Sequence, residues 1–172
     1  MTGTGYTTSD FSNWGSFPNA LLLLMMLIGG CTGSTTGGIK VFRIQILFFV
    51  IIKELRKINS PRSLFSSKYN NQIISEEIIN SVMVIILFFL GGIFVISLLF
   101  FLEGYDFITS VSAAITSIAV VGPGLGSIIG PEESFSGLPS NLKIILAAAM
   151  IIGRLEFIAF FVLLLPTFWK QK

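Results

Sequence analysis

Two short glycine-containing segments carry residues suited to binding a dehydrated cation. Residues 4–7 read Thr-Gly-Tyr-Thr, and residues 121–124 read Val-Gly-Pro-Gly. A cation that crosses a bilayer must exchange its hydration water for other oxygen ligands, and backbone carbonyls can supply them. Glycine permits the backbone angles and the close approach that such a segment needs. The candidate filter residues are Thr4, Gly5, Tyr6, Val121, Gly122 and Pro123.

The alternative for the second segment is an ordinary turn between helices, where glycine and proline are common. Residues 107–119, which precede it, are apolar but too short to span a bilayer. A half-length helix directly before the glycines favours a re-entrant pore loop over a simple turn.

A second glycine-rich stretch, residues 29–40, interrupts an apolar run and reads GGCTGSTTGGIK. In a membrane, irregular backbone is tolerated only where protein buries it or where it lines a watery cavity, and broken helices often mark a solute path. A phosphate-binding loop is rejected, because Ile39 separates Gly38 from Lys40. Close helix packing through small residues remains the alternative.

Arg154 lies near the middle of the last apolar run, residues 142–169. A charged side chain at that depth costs on the order of 3 kcal/mol, so it usually faces a bundle interior or a cavity. A salt bridge to Glu156 is the structural alternative, although residues two apart on a helix do not face each other. The position favours a residue beside a permeation path, where a fixed cation would control flux.

The composition indicates a membrane protein. The chain has 172 residues, of which 53% are hydrophobic and 12% are charged, and a mean hydropathy of +0.87. An ordinary soluble domain has roughly twice that charged fraction. One cysteine and no histidine exclude an internal disulfide and a Ser-His-Asp triad. An enzyme is therefore not expected, and neither is a cofactor.

The apolar runs and the basic residues predict the topology. Residues 78–102 are apolar and uncharged, which is enough for a spanning helix, whereas residues 53–77 are hydrophilic. Most of the 11 lysines and arginines lie between residues 40 and 68. The positive-inside rule therefore places residues 53–77 and the C-terminus in the cytoplasm. Anionic lipid accounts for the basic cluster, so no nucleic-acid partner is expected.

Four strings resemble the C-terminal half of the membrane (Trk) subunit in the Trk/Ktr potassium transporter family. They read TGTGYTTSDFSNW, MMLIGGCTGSTTGGIKVFR, VGPGLG and IGRLEFIAFFVLLLPTFW, and they follow the family's order. The resemblance implies four helix–pore-loop–helix repeats around one pore, with Gly5 and Gly122 as the filter glycines of the third and fourth repeats. Potassium would bind at their backbone carbonyls. The implied gate consists of Gly29, Gly30, Gly33, Ser34, Thr35, Gly37 and Gly38, together with Arg154.

The same resemblance implies an all-α integral membrane protein with a partial third and a complete fourth repeat. Residues 1–52 would hold the third-repeat filter and broken inner helix, residues 53–77 a cytoplasmic connection, and residues 78–172 the fourth repeat. The expected function is potassium uptake across the plasma membrane, and the only bound species is the transported ion. Two repeats and one helix of the family have no counterpart here. The expected partners are therefore the missing N-terminal half or a second membrane chain, the lipid bilayer, and a cytoplasmic nucleotide-binding regulatory subunit. The alternative is a truncated or accessory membrane protein without independent transport.

Overall fold

The computed structural model describes residues 5–7, 11, 14–31, 37–59, 68–69, 72–73, 75–126, 128–131, 133–155 and 162. The helices are α1 (Ser16–Ile28), α2 (Val41–Asn59), α3 (Glu76–Leu102), α4 (Phe107–Ile118) and α5 (Ser140–Leu155). A short 3₁₀ turn, Phe135–Gly137, precedes α5, and a small hairpin pairs β1 (Lys68–Tyr69) with β2 (Gln72–Ile73).

Helix α3 is the long apolar helix that the sequence predicts at residues 78–102. It has 27 residues, and its most apolar window has a mean hydropathy of 3.0. Among the described residues it is the one helix both long and apolar enough to cross a membrane. Glu76 and Glu77 occupy its first turn, where negative charge stabilises the positive end of the helix dipole.

Helix α3 ends in a Schellman motif centred on Gly104. The N–H of Gly104 bonds to the carbonyl of Phe101, and the N–H of Tyr105 bonds to that of Phe100, at 3.0 and 3.2 Å. Gly104 has φ of +86°, the left-handed conformation that this motif requires. The rings of Phe100 and Tyr105 pack with centroids 5.5 Å apart, which closes the motif with an apolar contact. This stop allows the chain to reverse and begin α4 only a few residues later.

The half-length helix α4 is the centre of the fold. Most of its 12 residues are buried, and it packs against α1, α3 and α5. Ala113, Ala114 and Ala119 are fully buried, and their small side chains allow the longer helices to approach closely. The surrounding core includes Phe100 from α3 and Leu146 from α5. Helix α4 is therefore enclosed by its neighbours, which hold it in place.

Helices α1 and α2 are joined across the glycine-rich stretch by two backbone hydrogen bonds. The N–H of Ile39 bonds to the carbonyl of Leu27 at 3.0 Å, and the N–H of Val41 bonds to that of Gly30 at 3.2 Å. These bonds replace intrahelical bonds that the interruption removes. We call residues 29–40 the glycine break. Beyond it, α2 packs on α3 through Ile46.

The predicted connection, residues 53–77, contains more structure than its hydrophilic composition indicates. Helix α2 runs through the boundary predicted at residue 52, because residues 53–57 are good helix formers and Arg56 and Lys57 suit its C-terminal turn. The pairing of β1 with β2 is a small departure from the all-α prediction. The helical architecture is otherwise confirmed. The part of the last predicted run beyond α5, residues 156–169, lies outside the described residues apart from residue 162.

Candidate functional site

The site is built on the end of α4, where the chain leaves the helix in an unusual conformation. The N–H of Val120 bonds to the carbonyl of Ser117, and the N–H of Val121 bonds to that of Thr116, at 3.3 and 3.0 Å. This is again a Schellman motif, but its left-handed position is Val120, with φ of +53°. A β-branched residue there costs about 1–2 kcal/mol. Such local strain is a reason to look for function at this turn.

The following residues, 120–126, form what we call the Gly122 loop, and two hydroxyl groups of α4 hold it. The Thr116 hydroxyl accepts from the N–H of Gly122 and donates to the carbonyl of Pro123, both at 3.0 Å. One helical turn earlier, the Ser112 hydroxyl donates to the carbonyl of Leu125 at 2.7 Å and accepts from its N–H at 3.0 Å. Both side chains are fully buried. On the side that faces α4, the loop is therefore fixed by hydrogen bonds and not by apolar packing alone.

These bonds determine where the first two carbonyls of the loop point. A trans peptide directs its N–H and its C=O in opposite directions. The N–H groups of Val121 and Gly122 both point at α4, so the carbonyls of Val120 and Val121 both point away from it. Successive carbonyls of an ordinary strand alternate in direction instead. The left-handed Val120 produces this departure.

The two predicted filter glycines lie against each other. A Cβ built on Gly122 would lie 3.1 Å from the Cα of Gly5, and one built on Gly5 would lie 3.2 Å from the carbonyl oxygen of Val121. Gly5 and Gly122 have φ of +79° and +112°, which side-chain-bearing residues rarely adopt. Gly122 is exposed, and Tyr6 is 93% exposed. The structure thus brings two distant segments together at an open surface.

The glycine break is held by backbone packed directly on backbone. A Cβ built on Gly38 would lie 2.8 Å from the Cα of Gly29, and one built on Gly29 would overlap the carbonyl oxygen of Gly37. Gly29 and Gly38 have φ of +66° and +86°. Neither position leaves room for a side chain, so the two ends of the break close on each other.

The break and α5 both reach the C-terminal turn of α4. A Cβ on Gly37 would overlap the carbonyl oxygen of Ala119, and one on Gly153 would overlap that of Ile118. Arg154 follows Gly153 in the last described turn of α5 and is exposed. The end of α4 therefore contacts the glycine break on one side, and the residue preceding Arg154 on another.

Some predicted residues cannot be placed, and some important ones were not predicted. Thr4, Gly33, Ser34 and Thr35 lie outside the described residues. Sequence reasoning missed Ser112 and Thr116, together with Thr109, whose hydroxyl would lie 2.5 Å from a Cβ on Gly126. Their spacing places all three on one face of α4. The signal in the sequence that could have identified them is a row of hydroxyl side chains along one face of an otherwise apolar half-length helix.

Comparisons with known proteins identify the family of this chain. The family model TrkH, described as "Cation transport protein", matches residues 1–170. The chain belongs to the TrkH family of cation transport proteins. The resemblance inferred from the four strings is thereby confirmed.

Individual relatives match along nearly the whole chain. The Trk system potassium uptake protein TrkI of Halomonas elongata is 40% identical over 171 residues, which cover 99% of this chain and 35% of that protein. The Trk system potassium uptake protein TrkH of Escherichia coli K12 is 34% identical, with coverage of 99% and 35%. The crystal structure of the potassium transporter TrkH from Vibrio parahaemolyticus matches with a TM-score of 0.85 at 32% identity, covering 98% of this chain and 36% of that one. The chain spans about a third of the length of these TrkH-family relatives.

Proposed function

We propose that this chain supplies two filter segments of a potassium-conducting pore and takes part in potassium uptake across the plasma membrane. The observation that carries the proposal is the contact between Gly5 and Gly122 in a member of a cation transport family. The relatives are named as potassium uptake proteins. An integral membrane protein agrees with the composition and with the apolar length of α3.

In this proposal, α3, α4, the Gly122 loop and α5 form one complete helix–pore-loop–helix repeat. The segment around Gly5, α1, the glycine break and α2 form the later part of another. Residues 53–77 and the C-terminus are cytoplasmic in this topology, in accordance with their basic residues.

The chemistry is replacement of hydration water by backbone oxygens. Two successive carbonyls, those of Val120 and Val121, point away from α4, and the Val121 oxygen lies beside Gly5. No described residue donates a hydrogen bond to them. Carbonyls of this kind, together with those of Gly5 and Gly122, would bind a dehydrated potassium ion. A side chain at either glycine would separate the two segments.

Below the filter, the glycine break and Arg154 would control passage. Close backbone packing of Gly29 on Gly37 and Gly38 brings the two ends of the break together, which supports the proposal that the break narrows the path of the ion. Arg154 would raise the electrostatic barrier to a cation at the same level. No cofactor is required for this mechanism.

Two filter segments cannot surround an ion, so the proposal requires complementary segments from another source. These are the remaining two-thirds present in the relatives, or a second membrane chain. A cytoplasmic nucleotide-binding subunit is the proposed regulator, in accordance with the family resemblance.

The test is a chimera in which these 172 residues replace the matched third of the E. coli TrkH relative. We expect the chimera to restore growth at low potassium in cells that lack their own uptake systems, and to take up potassium. Unmodified TrkH is the positive control, and this chain expressed alone should not restore growth. A chimera that reaches the membrane at the level of TrkH but transports no potassium would contradict the proposal. That result would favour an accessory role.

A further inference from the structure

We infer that Thr116 is a positioning residue that sets the ion selectivity of the Gly122 loop; the inference rests on the proposed function. Thr116 lies behind the loop and contacts no ion. It acts through the peptide that joins Val121 to Gly122.

Thr116 is bonded to three consecutive loop residues. Its carbonyl accepts from the N–H of Val121 at 3.0 Å. Its hydroxyl accepts from the N–H of Gly122 and donates to the carbonyl of Pro123. A hydroxyl has one proton and two lone pairs, so it can make both bonds at once.

The bond to Gly122 is the one that aims an ion ligand. Because the peptide is planar and trans, fixing the Gly122 N–H also fixes the Val121 carbonyl on the opposite side. That carbonyl oxygen is the loop atom nearest to a Cβ built on Gly5, at 3.2 Å. Without the hydroxyl, the N–H of Gly122 loses its acceptor, and rotation of this peptide to find another would turn the Val121 carbonyl away from Gly5.

Ser112 provides a matched comparison on the same helix. Its side chain is equally buried, and its hydroxyl accepts from the N–H of Leu125 and donates to the carbonyl of Leu125, with the carbonyl of Thr109 as a longer second acceptor at 3.3 Å. None of these partners is Val121, Gly122 or Pro123. Leu125 is buried in the returning part of the loop, away from the surface where Gly5 and Gly122 meet. Loss of the Ser112 hydroxyl should therefore weaken the loop without turning the Val121 carbonyl.

The experiment measures potassium and sodium uptake by the TrkH chimera carrying Thr116→Val, Thr116→Ser or Ser112→Ala. Valine keeps the shape of threonine and removes the hydroxyl. We expect Thr116→Val to lower the preference for potassium over sodium about tenfold, in line with the loss of the part-buried hydrogen bond to Gly122. Thr116→Ser should restore it, and Ser112→Ala should leave the preference unchanged while lowering the amount of folded protein.

Several outcomes would overturn the inference. Unchanged selectivity in Thr116→Val would do so, as would an equal loss in Ser112→Ala, which would indicate general loosening of the loop. If the valine variant does not accumulate, Thr116→Cys decides, because a thiol is a weak donor and acceptor. It should lose selectivity in part, and full selectivity would reject the role. Failure of the parent chimera to transport potassium would instead contradict the proposed function, so the two failures are distinguishable.

Discussion

The Gly122 loop and the glycine break are both glycine-rich interruptions of helical structure, but they are held in different ways. Hydroxyl side chains of α4 hold the Gly122 loop through directional bonds to its backbone. The break is closed by backbone packed on backbone at Gly29, Gly37 and Gly38. The first arrangement fixes where carbonyls point, whereas the second excludes space.

This difference bears on how each region responds to mutation. In the Gly122 loop a single hydroxyl can be removed without adding volume, so geometry can change while the fold persists. At Gly29, Gly37 and Gly38 an added Cβ would first meet backbone, which cannot move aside as a flexible side chain does. We therefore expect selectivity to be adjustable at the loop, and the break to be sensitive chiefly to size.

The largest effect is expected for Gly37→Ala. The new methyl group would overlap the carbonyl oxygen of Ala119, so the end of α4 or the break must shift. Overpacking against backbone should lower the free energy of unfolding by about 3 kcal/mol. The measurement is the thermal midpoint of the purified chimera.

The matched control for that substitution is Gly137→Ala. A Cβ on Gly137 meets nothing within 4 Å, so the change should stay within about 0.5 kcal/mol. Equal midpoints for the two variants would show that the break is not close-packed against α4, and the comparison with the Gly122 loop would fail.

A smaller effect on stability, but a specific one on selectivity, is expected for Gly122→Ala. Alanine at φ of +112° is strained by about 1–3 kcal/mol, and its Cβ would lie 3.1 Å from the Cα of Gly5. The two segments should separate, and the preference for potassium over sodium should fall in uptake measurements.

Gly15→Ala is the control that distinguishes the effect of backbone strain from the effect of separating Gly5 and Gly122. Gly15 has φ of +99° with nothing within 4 Å of its Cβ, so alanine there is strained without approaching Gly5. It should lower stability to a similar extent and leave selectivity intact. Loss of selectivity in both variants would indicate that strain alone, and not the contact between the two glycines, is responsible.

Local patterns in the sequence predicted much of the helical structure. The uncharged run at residues 78–102 predicted α3 almost to its ends, because apolar length is a local property. The half-length of α4 was also visible in the sequence, because Gly104 and the glycines after residue 121 delimit it. Close packing at the glycine break could be anticipated from glycine content, although its partner at Ala119 could not.

The contacts that make up the site were harder to predict, because they join residues far apart in the chain. The approach of Gly5 to Gly122 was expected only through the family resemblance. The roles of Ser112 and Thr116 depend on the loop folding back along α4. The spacing of apolar residues in the sequence does not predict that fold-back. The strain at Val120 could not be predicted either, because β-branched residues such as valine rarely adopt the left-handed conformation and the sequence gives no sign that one does so here.

The smallest effect apart from the Gly137 control is expected for Gly104→Ala, which measures the cost of a side chain at the left-handed position that Val120 also occupies. Gly104 and Val120 both occupy the left-handed position of a Schellman motif, at φ of +86° and +53°. A Cβ on Gly104 meets nothing within 4 Å, so alanine should cost only the conformational term, about 1 kcal/mol in unfolding free energy. Gly104→Asn should cost less, because asparagine tolerates this conformation. A cost near zero for alanine would mean that a Cβ alone is not strained at this position of the motif. The strain at Val120 would then have to come from its β-branch.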